Sequence, residues 1–296
     1  MLEPTDTLWR YMKLETLLLL LTKRMAWFPS VASLRASDPF EGALGEGFHR
    51  ELWKRIESSN HDIEAMKSWL FNSLPAEIQG LLKLNKGYSG LSAQELGKAY
   101  SDALAQRRTA WCWFDSSTES AAMWQIYGCL GVAVESDRNR LDKTLKEALS
   151  NEDFSIDSMN YVDHRSGAPN YVEKVVRDNP ELLLRPHFLK RAEYAHEKEL
   201  RVVTFCSSAG RGRPIHGINP NTLIREIRIS PLLPAEEADS IISQITTVTK
   251  GMAIHVAQSD LTGSGNQIGL ANALSRPPSG TLIDTEDDVP EILKIL

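Results

Sequence analysis

The chain has 296 residues, of which 42% are hydrophobic, and a formal net charge of −6. This length suits one elaborated domain, and the negative charge excludes a large electrostatic footprint on nucleic acid, so any such contact would be local. The three cysteines, Cys112, Cys129 and Cys206, form no C-x-x-C pair, which predicts reduced thiols in a cytoplasmic protein. The apolar run at 17–21 is too short for a membrane anchor or a signal peptide, so no membrane contact is expected.

The first third of the chain predicts a strand, a helix, a second strand and a turn. The first strand ends at Arg10 and Tyr11, and the helix after it places Leu14, Leu17, Leu18 and Leu21 on one face. An apolar strand is expected at 25–28 and a turn at 37–42, where Asp38 precedes a proline. Residues 46–108 are rich in helix-forming residues and predict a helical insert.

The rest of the chain alternates between strand and helix patterns. Strands are expected at 110–114 and 131–136, and between them Ser116, Ser117 and Thr118 are candidate N-caps of a helix that runs to Tyr127 and stops at Gly128. Helices are predicted at 138–149 and 171–184, a strand at 199–205, and a strand, helix and strand at 224–229, 234–247 and 252–257. The basic segment 210–214 is interpreted as a solvated loop, with a phosphate-contacting loop as the alternative.

These patterns predict an α+β (mixed α/β) fold in which a split, twisted sheet is flanked by helices and frames a cleft. We expect one domain over 1–260 with the insert at 46–108, and a surface tail over 261–296. The chain has no P-loop, no G-x-G-x-x-G after a strand, no H-E-x-x-H and no G-x-S-x-G. P-loop nucleotidases, metalloproteases and serine hydrolases are therefore disfavoured, and no metal is expected.

Three groups of polar residues stand at predicted element boundaries, where a rigid scaffold often holds functional side chains. They are Arg10, the Ser116-Ser117-Thr118 cluster, and Glu197 with Glu199. Cleavage of the nicotinamide bond of NAD suits this set, because a glutamate such as Glu199 can bind a ribose hydroxyl and stabilise an oxocarbenium-like transition state. Glu197 would orient or deprotonate an acceptor, and Arg10 would bind the phosphates of the dinucleotide. The serines would hold the ribose.

The order of these groups resembles the R-S-E pattern of ADP-ribosyltransferases, whose last box is E-x-E running into a hydrophobic strand, here EKELRVV. The resemblance covers a handful of residues, and Ser-Ser-Thr replaces the usual Ser-Thr-Ser. It implies a cleft with Glu199 and Glu197 as catalytic residues. NAD would be the co-substrate, bound by Arg10, Tyr11, Ser116, Ser117, Tyr127 and Arg201, and a protein or nucleic acid would be the acceptor.

A broader resemblance, from about Arg10 to Ala257, is to a widespread bacterial family of unknown function that is often found near defence and mobile-element genes. The chain is similar to this family in four boxes: Trp9-Arg10-Tyr11, Ser37-Asp38-Pro39-Phe40-Glu41, Met123-Trp124-Gln125-Ile126-Tyr127-Gly128 leading into Gly131-Val132, and Lys190 followed by Tyr194-x-x-Glu197-x-Glu199-x-Arg201. Ser37 departs from the asparagine of the family. The resemblance implies one shared site in a defence or toxin effector and names no reaction.

Each group also has a structural interpretation. Glu197 and Glu199 fit an exposed turn with a Glu199–Arg201 pair, Arg10 fits a salt bridge to Asp38 or Glu41, and the serines fit helix capping alone. The segment 38–41 fits a turn with a buried Phe40, and His196 fits an ordinary exposed histidine. The aromatic residues Trp113, Trp124 and Tyr127 fit the core or the wall of a pocket. The alternative functions are therefore a non-catalytic module that recognises phosphate, nucleotide or nucleic acid, and an interaction protein whose boxes only hold the fold.

Overall fold

The computed structural model describes residues 7–43, 63–72, 92–128, 131–165, 185–206 and 210–262, together with a few isolated positions. The strands are β1 (Thr7–Met12), β2 (Met25–Pro29), β3 (Arg108–Asp115), β4 (Val132–Asp137), β5 (Phe154–Ser158), β6 (Asn160–Val162), β7 (Leu189–Arg191), β8 (Glu199–Phe205), β9 (Gly212–His216), β10 (Glu226–Ile229) and β11 (His255–Gln258). The helices are α1 (Leu14–Lys23), α2 (Val31–Leu34), α3 (Ile63–Asn72), α4 (Ala93–Arg107), α5 (Ala121–Met123), α6 (Arg138–Ala148), α7 (Pro220–Leu223) and α8 (Ala235–Val248). Two 3-10 turns, Pro186–Phe188 and Ala192–Glu197, and a π-turn, Trp124–Gly128, complete these elements.

A seven-stranded sheet in the order β11-β10-β4-β1-β3-β8-β5 forms the centre of the fold. Its neighbouring strands are antiparallel except for the parallel pair β10 and β11, which α8 connects. Two small two-stranded sheets, β2-β9 and β6-β7, accompany it. The fold is therefore mixed α/β, with a large, mostly antiparallel sheet flanked by helices.

The two faces of the sheet differ in chemistry because side chains alternate along each strand. One face, called the apolar face here, carries Trp111, Trp113, Leu200 and Val202 and packs in the main core against residues of α1, α6 and α8. The opposite face, called the acid face, carries Glu199 and Arg201 of β8, which pair with Phe114 and Cys112 of β3. The buried Glu199 and Arg201 therefore lie on the side of the sheet opposite the main core.

Most of the predicted elements are confirmed. The strand at 199–205 has the predicted bounds, and the unit at 224–257 is β10, α8 and β11 with parallel pairing. The helix α1 also forms, although Leu20 is buried where Leu18 was expected. The spacing of the leucines predicts an apolar face on α1, but the packing against neighbouring elements decides which leucines at the edge of that face are buried.

Other predictions are wrong or lie outside the described residues. The segment 210–214 is not a loop, because Gly212–His216 pairs with β2, and the short strands β5, β6 and β7 were not predicted. The helix after β3 is capped by Ser120, not by Ser116, Ser117 or Thr118, and its single turn passes into the π-turn that ends at Gly128. Much of the insert at 46–108, most of the helix at 171–184 and the tail beyond residue 262 lie outside the described residues.

Candidate active site

The two glutamates of the E-x-E box come together through a turn and not through strand alternation. Glu197 ends the 3-10 turn Ala192–Glu197, Lys198 has φ 38° in the left-handed region, and Glu199 begins β8. The chain is therefore not extended across these residues, and the left-handed residue turns both carboxylates inward. Glu197 is 5% exposed and Glu199 is 4% exposed, so the interpretation as an exposed turn is wrong.

Lys190 of β7 is the centre of the site. Its Nζ donates to Oε2 of Glu197 and to Oε2 of Glu199 at 2.9 Å, and it lies 3.7 Å from Oε2 of Glu41. The side chain of Lys190 is only 9% exposed. One buried ammonium group therefore binds the two carboxylates of the E-x-E box and lies close to a third from the distant turn at 38–42.

Arg201 is the second cation, and it is completely buried. Its Nε donates to Oε1 of Glu199 at 2.7 Å, and its NH1 donates to the carbonyl of His187 at 2.7 Å. The same NH1 lies 2.8 Å from Oε1 of Glu41. Glu199 thus has a cation on each of its two oxygens, which fixes its position.

Glu41 reaches the site because the turn at 38–42 folds inward. Gly42 makes this path possible: its φ is +59°, and a Cβ there would lie 2.7 Å from Val31 Cγ1. Glu41 and Asp38 are 2% and 1% exposed, whereas Phe40 is 38% exposed. The prediction of a buried phenylalanine in this turn is wrong, since the turn buries its acids, and the partner of Asp38 is Arg191 at 2.8 Å.

Two tyrosines connect the glutamates to the surrounding elements. The hydroxyl of Tyr127, on the π-turn, donates to Oε1 of Glu197 at 2.7 Å. The hydroxyl of Tyr161, on β6, accepts from the backbone N–H of Glu199 at 2.7 Å. Tyr127 is 48% exposed, so it joins the buried Glu197 to the surface. We call Glu41, Lys190, Glu197, Glu199 and Arg201 the buried ion cluster.

Burial and charge act in opposition inside the buried ion cluster. Burial alone would raise the pKa of Glu199, but Arg201 and Lys190 outweigh it and lower that pKa to about 2. For Glu41 burial dominates and raises the pKa, despite the nearby Arg201 and Lys190. Burial also raises the pKa of Tyr127, with a further contribution from the charge of Glu197, and raises the pKa of Cys112 beside Glu199 to about 12.

Arg10 is not brought to the buried ion cluster. Its guanidinium lies over the ring of Trp111, 5.4 Å from the ring centre, on the apolar face, and NH1 donates to the carbonyl of Cys112 at 2.6 Å. Beyond the pair Trp9 and Phe114, β1 and β3 have no further paired residues, so this hydrogen bond bridges strands that have separated. Arg10 therefore faces away from Glu199, and the expectation that it shares a cleft with the glutamates is wrong.

The remaining predicted site residues, Ser116, Ser117 and Tyr11, lie outside the buried ion cluster. Ser116 is buried: its Oγ accepts from the N–H of Thr118 at 3.4 Å, and its carbonyl accepts from the indole of Trp9 at 3.0 Å. Ser117 is exposed. Tyr11 packs edge-on against Trp124 on the acid face, and its hydroxyl accepts from the N–H of Ser120 at 2.8 Å. Of the predicted set, the structure thus brings together Glu197, Glu199, Arg201 and Tyr127.

Sequence reasoning missed the roles of Lys190, Glu41 and Tyr161. Lys190 and Glu41 stand in the boxes on which the suggested resemblance to a bacterial family rests, so the sequence offered a signal for them. No signal in the sequence marks Tyr161. In the part of the chain that the structure describes, no group of three or more His, Cys, Asp or Glu side chains is arranged to hold a metal ion, and no helix is long and apolar enough to cross a membrane.

Comparison of the chain with protein-family models, with curated proteins and with solved structures found no match.

Proposed function

We propose that the protein is an NAD-consuming enzyme similar to ADP-ribosyltransferases and that the buried ion cluster is its catalytic site. The observation that carries this proposal is the 2.7 Å hydrogen bond from the half-exposed Tyr127 hydroxyl to the buried Glu197. A ribose hydroxyl would donate the same kind of bond to the same carboxylate oxygen. Tyr127 therefore occupies the position that a sugar hydroxyl would take.

The charge of the site supports the same chemistry. Three carboxylates surround two cations, so the buried ion cluster has one more acid than it has bases. The acid in excess of the bases can ionise and so stabilise a positively charged transition state, such as the oxocarbenium ion formed when the nicotinamide bond breaks. Both cations are already held by carboxylates, which disfavours the binding of phosphate at this point, so the alternative of a phosphate-recognition module has less support.

The roles of the two glutamates follow from their partners. Glu199 is held on both oxygens by buried cations and serves as the fixed part of the site. One oxygen of Glu197 is held by Lys190, and the other faces Tyr127, which a substrate can displace. Glu197 is therefore the carboxylate that contacts the substrate.

The phosphates of the dinucleotide need a cation other than Arg10. Arg191 fits this role: its side chain is 29% exposed, and its guanidinium carbon lies 5.3 Å from the centre of the Tyr194 ring, which Lys190 Nζ approaches to 5.2 Å. Arg191 thus borders the buried ion cluster and faces partly outward. The acceptor would be a protein or a nucleic acid, and the biological role that of a bacterial defence or toxin effector in the cytoplasm.

The experiment uses NAD labelled in the nicotinamide ring and follows release of labelled nicotinamide by the full-length protein, with and without protein and RNA acceptors. Glu197→Gln should lower turnover by a factor of about 10²–10³, as expected when one electrostatic contact to a transition state is lost. Glu147→Gln, which changes an exposed glutamate on α6, is the matched control and should retain full turnover. Equal turnover by Glu197→Gln and wild type, or no release of nicotinamide by the wild type, would contradict the proposal.

A further inference from the structure

The three carboxylates of the buried ion cluster are not equally well held. Glu197 accepts hydrogen bonds from Tyr127 and Lys190, and Glu199 accepts them from Arg201 and Lys190. Glu41 is different. The 2.8 Å approach of Arg201 to its Oε1 lacks the geometry of a hydrogen bond, and its Oε2 is 3.7 Å from Lys190.

The charges near Glu41 do not balance if all three acids are ionised. The groups that face it are Lys190 from β7, Arg201 and Glu199 from β8, and, through its backbone carbonyl, the guanidinium of Arg35. Lys190 and Arg201 are already matched by Glu197 and Glu199 through hydrogen bonds. A third negative charge in the same buried volume would be uncompensated, and an isolated buried charge is removed by a change of protonation.

We propose that Glu41 carries a proton in the resting protein and is the reserve carboxylate of the site, ionising when positive charge develops beside Glu197 or when another acid of the cluster is lost. On ionisation the O–H bond of Glu41 breaks and water takes the proton. The direction in which burial moves the pKa of Glu41 agrees with this assignment. The response to the transition state rests on the proposed function, whereas the protonated resting state and the response to loss of an acid do not.

The charge state is tested without any assay of activity, by ¹³C NMR of protein labelled at the glutamate carboxyl carbons. The signal that disappears in Glu41→Gln identifies Glu41. It should lie at the chemical shift of a carboxylic acid at pH 7. In Glu199→Gln it should move to the shift of a carboxylate, because Lys190 and Arg201 then need a second anion. A carboxylate shift for Glu41 in the wild type at pH 7 would overturn the proposal.

Thermal unfolding of single and double variants provides a second test, which also serves if the labelled variants give weak spectra. Glutamine imitates a protonated glutamate, so Glu41→Gln should unfold at nearly the temperature of the wild type. In the Glu199→Gln background the same change removes the reserve anion, so the double variant should lose far more than the sum of the two single shifts. Additive shifts, or a loss for Glu41→Gln as large as that for Glu199→Gln, would contradict the proposal.

Turnover separates this proposal from the proposed function. If NAD is cleaved, Glu41→Gln should lower kcat and leave KM for NAD nearly unchanged, because the reserve charge acts only as positive charge develops. An unchanged kcat would show that the ionisation of Glu41 plays no part in the reaction. If NAD is not cleaved at all, the proposed function fails, while the NMR and unfolding results still decide the protonation of Glu41 and its response to Glu199→Gln.

Discussion

Two of the ion networks in the described residues lie toward opposite ends of the central sheet, and they differ in burial more than in composition. The surface network, formed by Glu226, Arg228, His255 and Asp260, lies on and beside β10 and β11. Its pairs include Arg228 with Asp260 at 2.7 Å and His255 with Glu226 at 2.6 Å, and the side chains of Asp260 and His255 are 78% and 71% exposed. In the buried ion cluster no side chain is more than 9% exposed.

The contrast teaches that distance alone does not measure the importance of an ion pair. Contacts below 3 Å occur in both networks, but water stabilises each exposed partner of the surface network when its pair breaks. When the partner of a buried charge is removed, water cannot reach the charge to stabilise it. Four changes test this difference, from the largest expected effect to the smallest.

Lys190→Met should have the largest effect, because it leaves the three acids of the cluster facing Arg201 alone. We expect the free energy of unfolding to fall by about 3–5 kcal/mol, the usual cost of breaking a buried pair from one side. Urea unfolding followed by tryptophan fluorescence measures it. The matched control is Lys146→Met, which breaks an exposed pair to Asp142 on α6 and should cost no more than about 0.5 kcal/mol. Similar decreases in the free energy of unfolding for the two variants would show that burial does not decide how much an ion pair contributes to stability.

Acid should destabilise the protein through Glu199 over a defined pH range. The pKa of Glu199 in the folded protein, about 2, lies below the usual value near 4.3, so its stabilising effect is complete above that usual value and is lost as the pH falls toward 2. The free energy at stake is on the order of 3 kcal/mol, at about 1.4 kcal/mol for each unit of pKa. Unfolding curves between pH 6 and pH 2 measure it.

The double variant Glu41→Gln/Glu199→Gln provides the control for this pH dependence, because Glu41 would ionise in place of Glu199 in the single variant. The double variant should show a smaller decrease in stability over the same range, because both titrating groups are gone. An equal decrease in the variant and the wild type would assign the acid sensitivity to other carboxylates.

Tyr127→Phe should have an intermediate effect, since it removes one hydrogen bond to Glu197 at the border between the cluster and the surface. A loss of about 0.5–1.5 kcal/mol is expected. If Tyr127 occupies the place of a ribose hydroxyl, the variant should also have a lower KM for NAD, because the competing donor is gone. Steady-state kinetics test this, with Tyr161→Phe as a control that should reduce stability without lowering KM. A higher KM for Tyr127→Phe would show that the hydroxyl helps to bind the substrate.

Asp260→Ala should have the smallest effect. Its partner Arg228 keeps a second acid, Glu226 at 3.0 Å, and a bond to the carbonyl of Gln258. We expect a change below about 0.5 kcal/mol, and it should shrink further as salt is added. Thermal unfolding at low and high ionic strength checks both statements, and a change comparable with that of Lys190→Met would contradict the comparison.

The sequence predicted regular elements better than it predicted the position of the early arginine. β8 has the predicted bounds because Leu200, Val202 and Val203 favour a buried strand. Arg10 was assigned to the glutamates because it stands on an early strand, but one residue of register decides the face on which a strand side chain lies. The pairing of Trp9 with Phe114, which places Arg10 on the apolar face, is a long-range contact that no local pattern encodes.

The turn at 38–42 shows the opposite kind of error. Local chemistry predicted the turn, and hydrophobicity suggested that Phe40 was its buried residue. The structure buries Asp38 and Glu41 because Arg191, Arg201 and Lys190 lie inside to receive them. Burial of acids depends on partners more than a hundred residues away, so hydrophobicity alone could not predict it.

Lys198 gives the E-x-E box a property that a strand could not have. Its left-handed backbone is a joint between Glu197, which belongs to a short turn, and Glu199, which is anchored in a sheet. Rotation at Lys198 would move one carboxylate relative to the other and would disturb the 2.9 Å hydrogen bond from the Asp115 N–H to the Lys198 carbonyl. Since the side chain of Lys198 is exposed, replacement by glycine would relax this backbone conformation and replacement by valine would strain it, so the spacing between the two acids is adjustable at a position outside the core.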